Sequence, residues 1–153
     1  MGDILVIAFF GLVPVCGTYY VQTTRITIDC WIAATTCGLG IDTLLVVNNY
    51  RDRYQDRAND KRTLISMLGS KFGEWFYLIL GISAAALCLH FVPVTDAWSA
   101  IIPVPYLWAH IDSWQRMRTI SHGRALNTVL VMASRNILLL GASLCFLFLL
   151  TLL

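Results

Sequence analysis

Between two long apolar stretches the chain reads Asn48-Asn49-Tyr50-Arg51-Asp52-Arg53-Tyr54-Gln55-Asp56-Arg57-Ala58-Asn59-Asp60-Lys61-Arg62-Thr63. Asp52, Asp56 and Asp60 recur every four residues, and Asn48 extends the row one step back. Residues four apart are neighbours on one face of an α-helix, so a helix continuing through this segment projects all four side chains to one side. Like charges so placed repel by roughly 0.2–0.5 kcal/mol per pair, and a divalent cation compensates for that repulsion. Mg²⁺ is a hard ion that takes oxygen ligands, keeps several waters, and binds through one or two carboxylates plus the oxygens of a phosphate. The row therefore suits a diphosphate held through magnesium. Arg51, Arg57, Lys61 and Arg62 are candidate contacts for phosphate oxygens that the metal does not reach, the arginines by bidentate pairing.

A solvated loop whose aspartates pair with the interleaved arginines would show the same residues, and pairs of that kind contribute little. Position favours the site. The row emerges directly from an apolar stretch, with the two amides Asn48 and Asn49 at its edge, where polar groups are expensive and commonly functional.

The elements that must position this row are membrane spans. The 153 residues are 58% hydrophobic and only 13% charged, with a mean hydropathy of +0.68, against the roughly 45–50% apolar and 25% charged content of soluble domains. The apolar residues fall into blocks of roughly twenty with charge confined between them, the pattern of an all-α, polytopic transmembrane bundle of about five helices. The expected spans are Ile4–Tyr20, Ile26–Asn49, Phe72–Val92, Trp98–Ser113 with Pro103 and Pro105 breaking its start, and a last one between Ala125 and Leu153. Residues 1–153 form a single transmembrane domain. The Met-Gly-Asp start enters its apolar block without a basic region or a small-residue cleavage site, so it reads as a span rather than a removed signal.

Charge placement gives the topology. Six basic residues (Arg51, Arg53, Arg57, Lys61, Arg62 and Lys71) follow the second span and three (Arg116, Arg118 and Arg124) follow the fourth, while Arg25 alone serves the remaining connections. The positive-inside rule then puts the N-terminus and the aspartate row on the cytoplasmic side of the membrane. A formal charge of +2 gives no argument for nucleic acid. Five cysteines without CxxC spacing suggest neither a disulfide framework nor zinc. Arg135 and Asn136 interrupt the last apolar block, where an arginine at mid-membrane costs roughly 3 kcal/mol. Either residues 125–136 lie along the interface or Arg135 faces the bundle interior.

The run Asn48–Leu68, NNYRDRYQDRANDKRTLISML, resembles the second aspartate-rich motif of the UbiA-type intramembrane prenyltransferases. Its NNxRDxxxDxxxxKRTL form is most similar to the branch that acts on 1,4-dihydroxy-2-naphthoate. Phe10–Thr23, FGLVPVCGTYYVQT, and Gly123–Asn127, GRALN, extend the resemblance over nearly the whole chain. The resemblance implies transfer of a polyprenyl group from polyprenyl diphosphate to 1,4-dihydroxy-2-naphthoate, within membrane lipid, giving a demethylmenaquinone. It also implies Mg²⁺ held by Asp52 and Asp56, with Asn48 and Asp60 assisting. Lys61 and Arg62 match basic positions of that motif, and with Arg51 they are the candidate diphosphate-binding residues on the charge argument above. That family has about nine spans and a first motif of the type NDxxDxxxD. Only one row occurs here, so the chain resembles the last five of nine helices and chemistry is expected to need the missing N-terminal half. A different aromatic acceptor and a non-catalytic membrane subunit remain the alternatives.

Asn49, Tyr19, Tyr20 and Gln22 are candidate pocket residues, although tyrosines at a span end also suit the aromatic belt. His110 and Asp112 read as an interfacial pair or as a contact for a polar ring substituent, and His90 likewise.

Overall fold

The computed structural model describes residues 2–92 and 97–151, and each of its regular elements is helical. The first rod spans Gly2–Thr23. It consists of α1 (Gly2–Val6), a π-helical stretch Ile7–Leu12, and α2 (Val13–Thr23). The widened turns end at Leu12, two residues before Pro14, whose ring excludes the regular backbone bond to the residue four places earlier. Thr24, in the left-handed region at φ 56°, ends the rod.

Thr27 then caps the N-terminus of α3 (Ile28–Ala58), its side-chain oxygen accepting from the Cys30 amide at 3.2 Å. At 31 residues α3 is about 46 Å long, well beyond the roughly 30 Å of hydrocarbon it has to cross. The span expected to stop at Asn49 thus continues for nine more residues, since no Gly or Pro interrupts positions 41–68. Its last turns leave the membrane as helix and carry Asn48, Asp52 and Asp56 with them. Asp60 is the exception. The helix closes at Asn59 and Asp60 takes a left-handed φ of 54°, so the row has three members on one helix.

The KRTL run starts the next element. Thr63 and Ser66 form a reciprocal capping box on α4 (Leu64–Leu68), with Ser66 N donating to Thr63 Oγ1 at 3.1 Å and Thr63 N to Ser66 Oγ at 2.9 Å. Gly69 leads into α5 (Ser70–Cys88), which tightens into a 3₁₀ turn over Leu89–Phe91. After a 3₁₀ stretch at Ala97–Ile101 comes α6 (Val104–Ile120), and a 3₁₀ turn at Arg124–Leu126 precedes α7 (Asn127–Thr151). The helix expected over Trp98–Ser113 is displaced toward the C-terminus. Pro103 and Pro105 stand at its start, where a missing amide costs nothing, so they set its beginning rather than break it.

Among the described residues, four elements are long and apolar enough to cross a membrane: Gly2–Thr23, Ile28–Ala58, Ser70–Phe91 and Arg124–Thr151. The fifth, α6, has 17 residues with Asp112, Arg116 and Arg118 in its second half. The chain is a multi-pass membrane protein. α7 runs unbroken through Arg135, which is exposed, while Asn136 turns inward and donates to Ser113 Oγ at 2.8 Å. Neither expected arrangement of Arg135 holds, because the i to i+1 rotation of a helix puts the two neighbours on different faces.

α3 is the axis, packed against the first rod, α4, α5 and α7. One core cluster joins Val46, Val47 and Tyr50 of α3 to Tyr77, Met117, Leu126 and Val129. The first rod approaches most closely at Gly11, where an added Cβ would stand 2.6 Å from both the Ala34 carbonyl oxygen and Gly38 Cα. Gly11→Ala is therefore expected to lower stability by about 1–3 kcal/mol through overpacking. Gly17→Ala, whose new methyl meets nothing within 4 Å, should be neutral, and thermal unfolding of the two variants in detergent compares them.

Candidate functional site

Beyond Val47, α3 presents different faces to its surroundings. Toward α7, Arg51, Asp52 and Gln55 line a cleft of about 380 Å³ together with Gly123, Arg124 and Asn127. Arg51 is its hub. Nε and Nη2 donate to the two Asp52 oxygens, each at 2.7 Å, Nη2 also donates to Asn48 Oδ1 at 2.7 Å, and Nη1 donates to Asn127 Oδ1 at 3.0 Å. One planar fork thus binds two turns of α3 to the first turn of α7, which a lysine cannot do. In these turns outside the membrane, the hydrogen bonds from Arg51 hold the Asp52 carboxyl below its usual range.

Asn48 also stands at the end of an apolar groove of about 520 Å³. Val6 and Phe10 of the first rod form one wall, Leu130 of α7 the other, and Ile41, Leu44 and Leu45 of α3 the floor. The Asn48–Arg51 hydrogen bond makes cleft and groove neighbours. A polar chamber with two arginines and a carboxylate therefore sits at the mouth of an apolar channel.

Asp56 is elsewhere. Its side chain is 8% exposed, Oδ1 accepts from Lys61 Nζ at 3.1 Å, and Oδ2 has no partner. It does not line the cleft. Lys61 is committed to this bond, Arg57 donates to the Ser66 carbonyl at 2.7 and 3.2 Å, and Arg62 is exposed without an ion pair among the described residues. Of the anticipated cations, only Arg51 lines the cleft. Arg124, unanticipated, joins it.

Among the described residues no three His, Cys, Asp or Glu side chains gather as a metal cage. The donor chemistry nevertheless fits Mg²⁺. Such an ion asks for one or two carboxylates and completes its shell with water and phosphate. A carboxylate has about four acceptor sites, of which Arg51 uses two on Asp52, and Asp56 Oδ2 is a buried oxygen still lacking a donor.

The pocket candidates separate from this region. Tyr19 and Gln22 do line a cavity, of about 680 Å³, but with Thr27 and Asp29 at the opposite end of α3. From Asp29 to Asp52 the helix rises about 35 Å. Tyr20 is exposed, and Asn49 is buried without lining the cleft. His110 and Asp112 are no pair either. His110 is fully buried against the Tyr77 carbonyl at 3.1 Å, whereas Asp112 binds Arg116 at 3.3 Å. The sequence reading also missed Glu74, whose carboxylate accepts from Tyr50 Oη at 2.9 Å and braces α3 beside the cleft.

The description "UbiA prenyltransferase family" matches residues 1–134. The chain belongs to the UbiA prenyltransferase family. It is 39% identical to the 1,4-dihydroxy-2-naphthoate octaprenyltransferase of Haemophilus influenzae over 115 residues, 72% of this chain and 37% of that protein. Similarity to the protein of the same name from Escherichia coli K12 is 36% over 89 residues, 58% of this chain and 29% of the relative. For the one from Mycobacterium leprae it is 33% over 100 residues, 65% and 34%. The chain thus spans about a third of the length of the curated relatives it matches. No solved structure matches it.

In this family member the Arg51 fork is a geometric requirement, not a charge alone. Arg51→Lys is expected to destabilise the α3–α7 contact nearly as much as Arg51→Ala, by about 1–3 kcal/mol. Thermal unfolding of both variants checks this, and full retention of stability in the lysine variant would contradict it.

Proposed function

We propose that the chain forms part of a polyprenyltransferase that joins a polyprenyl diphosphate to 1,4-dihydroxy-2-naphthoate in menaquinone biosynthesis, releasing diphosphate and carbon dioxide. The observation that carries this reading is the junction at Asn48, where the cleft lined by Arg51, Asp52 and Arg124 meets the apolar groove floored by α3. A polyprenyl diphosphate has the same division, a doubly phosphorylated head on a long apolar tail. The names of the similar proteins support the naphthoate acceptor.

In the reaction the allylic carbon–oxygen bond breaks and its electron pair leaves with the diphosphate. The electron-rich ring supplies the pair for the new carbon–carbon bond at the carbon that bears the carboxylate, and the ring–carboxylate bond then breaks, its pair restoring the aromatic ring as carbon dioxide departs. Arg51 and Arg124 offset the charge growing on the departing oxygens, in a site where preorganised donors act most strongly. An arriving phosphate competes with Asp52 for the Arg51 fork and leaves carboxylate oxygens free. Asp52 would hold Mg²⁺ with Asn48 beside it, and Asp56, which lies outside the cleft, would join them only by turning from Lys61. The ion supplies further charge neutralisation of the diphosphate when bound. Asp60 and Arg62 are outer contacts, Lys61 orients Asp56, and the groove shelters the tail and keeps water from the allylic cation. No protein nucleophile is needed.

The setting is a bacterial inner membrane with the N-terminus and the α3–α5 connection on the cytoplasmic side, as the basic loops favour. The aromatic acceptor and the facing half of the diphosphate site are provided for by chain outside these 153 residues, an N-terminal half that supplies the opposite wall.

Calorimetric titration of the purified chain with farnesyl diphosphate tests the head site. Binding is expected only with magnesium. Asp52→Asn and Arg124→Gln should each weaken it by about tenfold or more, the scale of one charge-assisted contact. Equal affinity in the wild type and both variants would sink the assignment. Turnover by this chain alone, without an added N-terminal half, would refute the need for a second part.

A further inference from the structure

The face of α3 turned away from the Asp52 cleft holds two guanidinium groups without a counter-charge. Arg53 is nine-tenths buried, at 7% exposure, with its guanidinium 4.3 Å from the Tyr50 ring centroid and 4.5 Å from that of Tyr54. It donates to the Ser121 carbonyl at 2.6 Å and to that of Tyr50. Arg57 donates only to the Ser66 carbonyl. Neither has a carboxylate within ion-pair distance among the described residues. Of the nearby acids, Asp52 pairs with Arg51, Asp56 with Lys61 through one oxygen, and Glu74 with Tyr50 and Arg118, while the exposed Asp60 makes no ion pair among the described residues. Carbonyl dipoles and aromatic faces orient a cation without neutralising it, and the charge of Arg53, removed from water, needs a partner, while the exposed Arg57 offers its charge to whatever enters from solvent.

Both arginines line one cleft of about 200 Å³, closed on its far side by Ser66, Gly69 and Ser70. There the 19-residue α5 begins, and Gly69 supplies no side-chain cap, so the first-turn amides have no side-chain acceptor. Two uncompensated guanidiniums and an uncapped helix start converge on a space that asks for an anion with several acceptor oxygens. An apolar lip adjoins it. Met67 and Leu68, the last residues of α4, are 63% and 57% exposed immediately before Gly69. A charged cleft beside exposed apolar side chains at the membrane edge matches a lipid better than a soluble ion.

We propose that this cleft binds the phosphodiester head of an anionic phospholipid, at a site separate from the Asp52 cleft on the other face of α3. The proposal does not rest on prenyl transfer. The whole chain, purified in a neutral detergent, is titrated with phosphatidylglycerol, with phosphatidylcholine and with inorganic phosphate, and bound lipid is counted by native mass spectrometry. One phosphatidylglycerol is expected to bind saturably, in preference to phosphatidylcholine. Arg57→Gln should weaken it about tenfold or more, the loss of one charged contact, and Arg116→Gln, an exposed arginine on α6, less than twofold. Ser70→Asp guards against a folding artefact. It places a negative charge in the cleft at a helix N-terminal position that favours one, so it should keep the fold and abolish binding by repelling the phosphodiester. Asp52→Asn should bind phosphatidylglycerol as the wild type does. Unchanged binding in Arg57→Gln and Ser70→Asp would overturn the site, and displacement of the lipid by inorganic phosphate at equal concentration would overturn the lipid as its source.

Discussion

The bundle depends on one constraint, that α3 cannot leave its hydrogen-bonded ladder while it is in lipid. Inside hydrocarbon every backbone amide and carbonyl needs an internal partner, so the chain crosses as helix. With no glycine or proline over positions 41–68, it is still helical when it emerges. The emerging turns inherit the register set by Gly38, Val46 and Val47 in the packed interior. The site is therefore aimed by membrane packing several turns below it. The same register separates its carboxylates. Four residues advance a helix by about 40° beyond a full turn, enough to leave Asp52 in the cleft against α7 and to bring Asp56 under Lys61.

Much of this was legible in the residues. The apolar blocks betrayed the spans because charge is excluded from lipid, and the four-residue spacing of Asn48, Asp52 and Asp56 betrayed a face because α3 continues. Asp60 kept the spacing but lost the helix, which ends at Asn59 without a glycine or proline to announce it. The ends of α6 were misplaced because prolines were read as breakers when Pro103 and Pro105 are starters. Arg124 and Glu74 were invisible for a different reason. Their roles come from approach across the bundle, with Arg124 brought to Asp52 by the turn before α7 and Glu74 brought to Tyr50 by α5 packing on α3. Tyr19 and Gln22 could have been excluded from the sequence. A short turn joins α2 to the start of α3, so residues near 20 lie across the membrane from residues near 52.

The short helix α6 ties the interior to the site. With 17 residues and a charged second half, it gains less from lipid than its neighbours do, and polar bonds to its neighbours compensate. Trp114 Nε1 donates to the Glu74 carbonyl at 2.9 Å, and one turn earlier His110 Nε2 meets the Tyr77 carbonyl at 3.1 Å. From the other side Asn136 of α7 donates to Ser113 Oγ and the Ala109 carbonyl. The His110 contact exists only because position 81 is glycine, since a Cβ there would fall 2.2 Å from the imidazole. Fixing α6 fixes its end at Ser121, whose carbonyl holds Arg53. It also fixes the turn beyond, which delivers Arg124 and Asn127 to the cleft. A change at Gly81, far from any phosphate, would reach both faces of α3 through that one helix, because the side chains of His110, Trp114 and Asn136 that fix α6 each bond to a group held in a neighbouring helix.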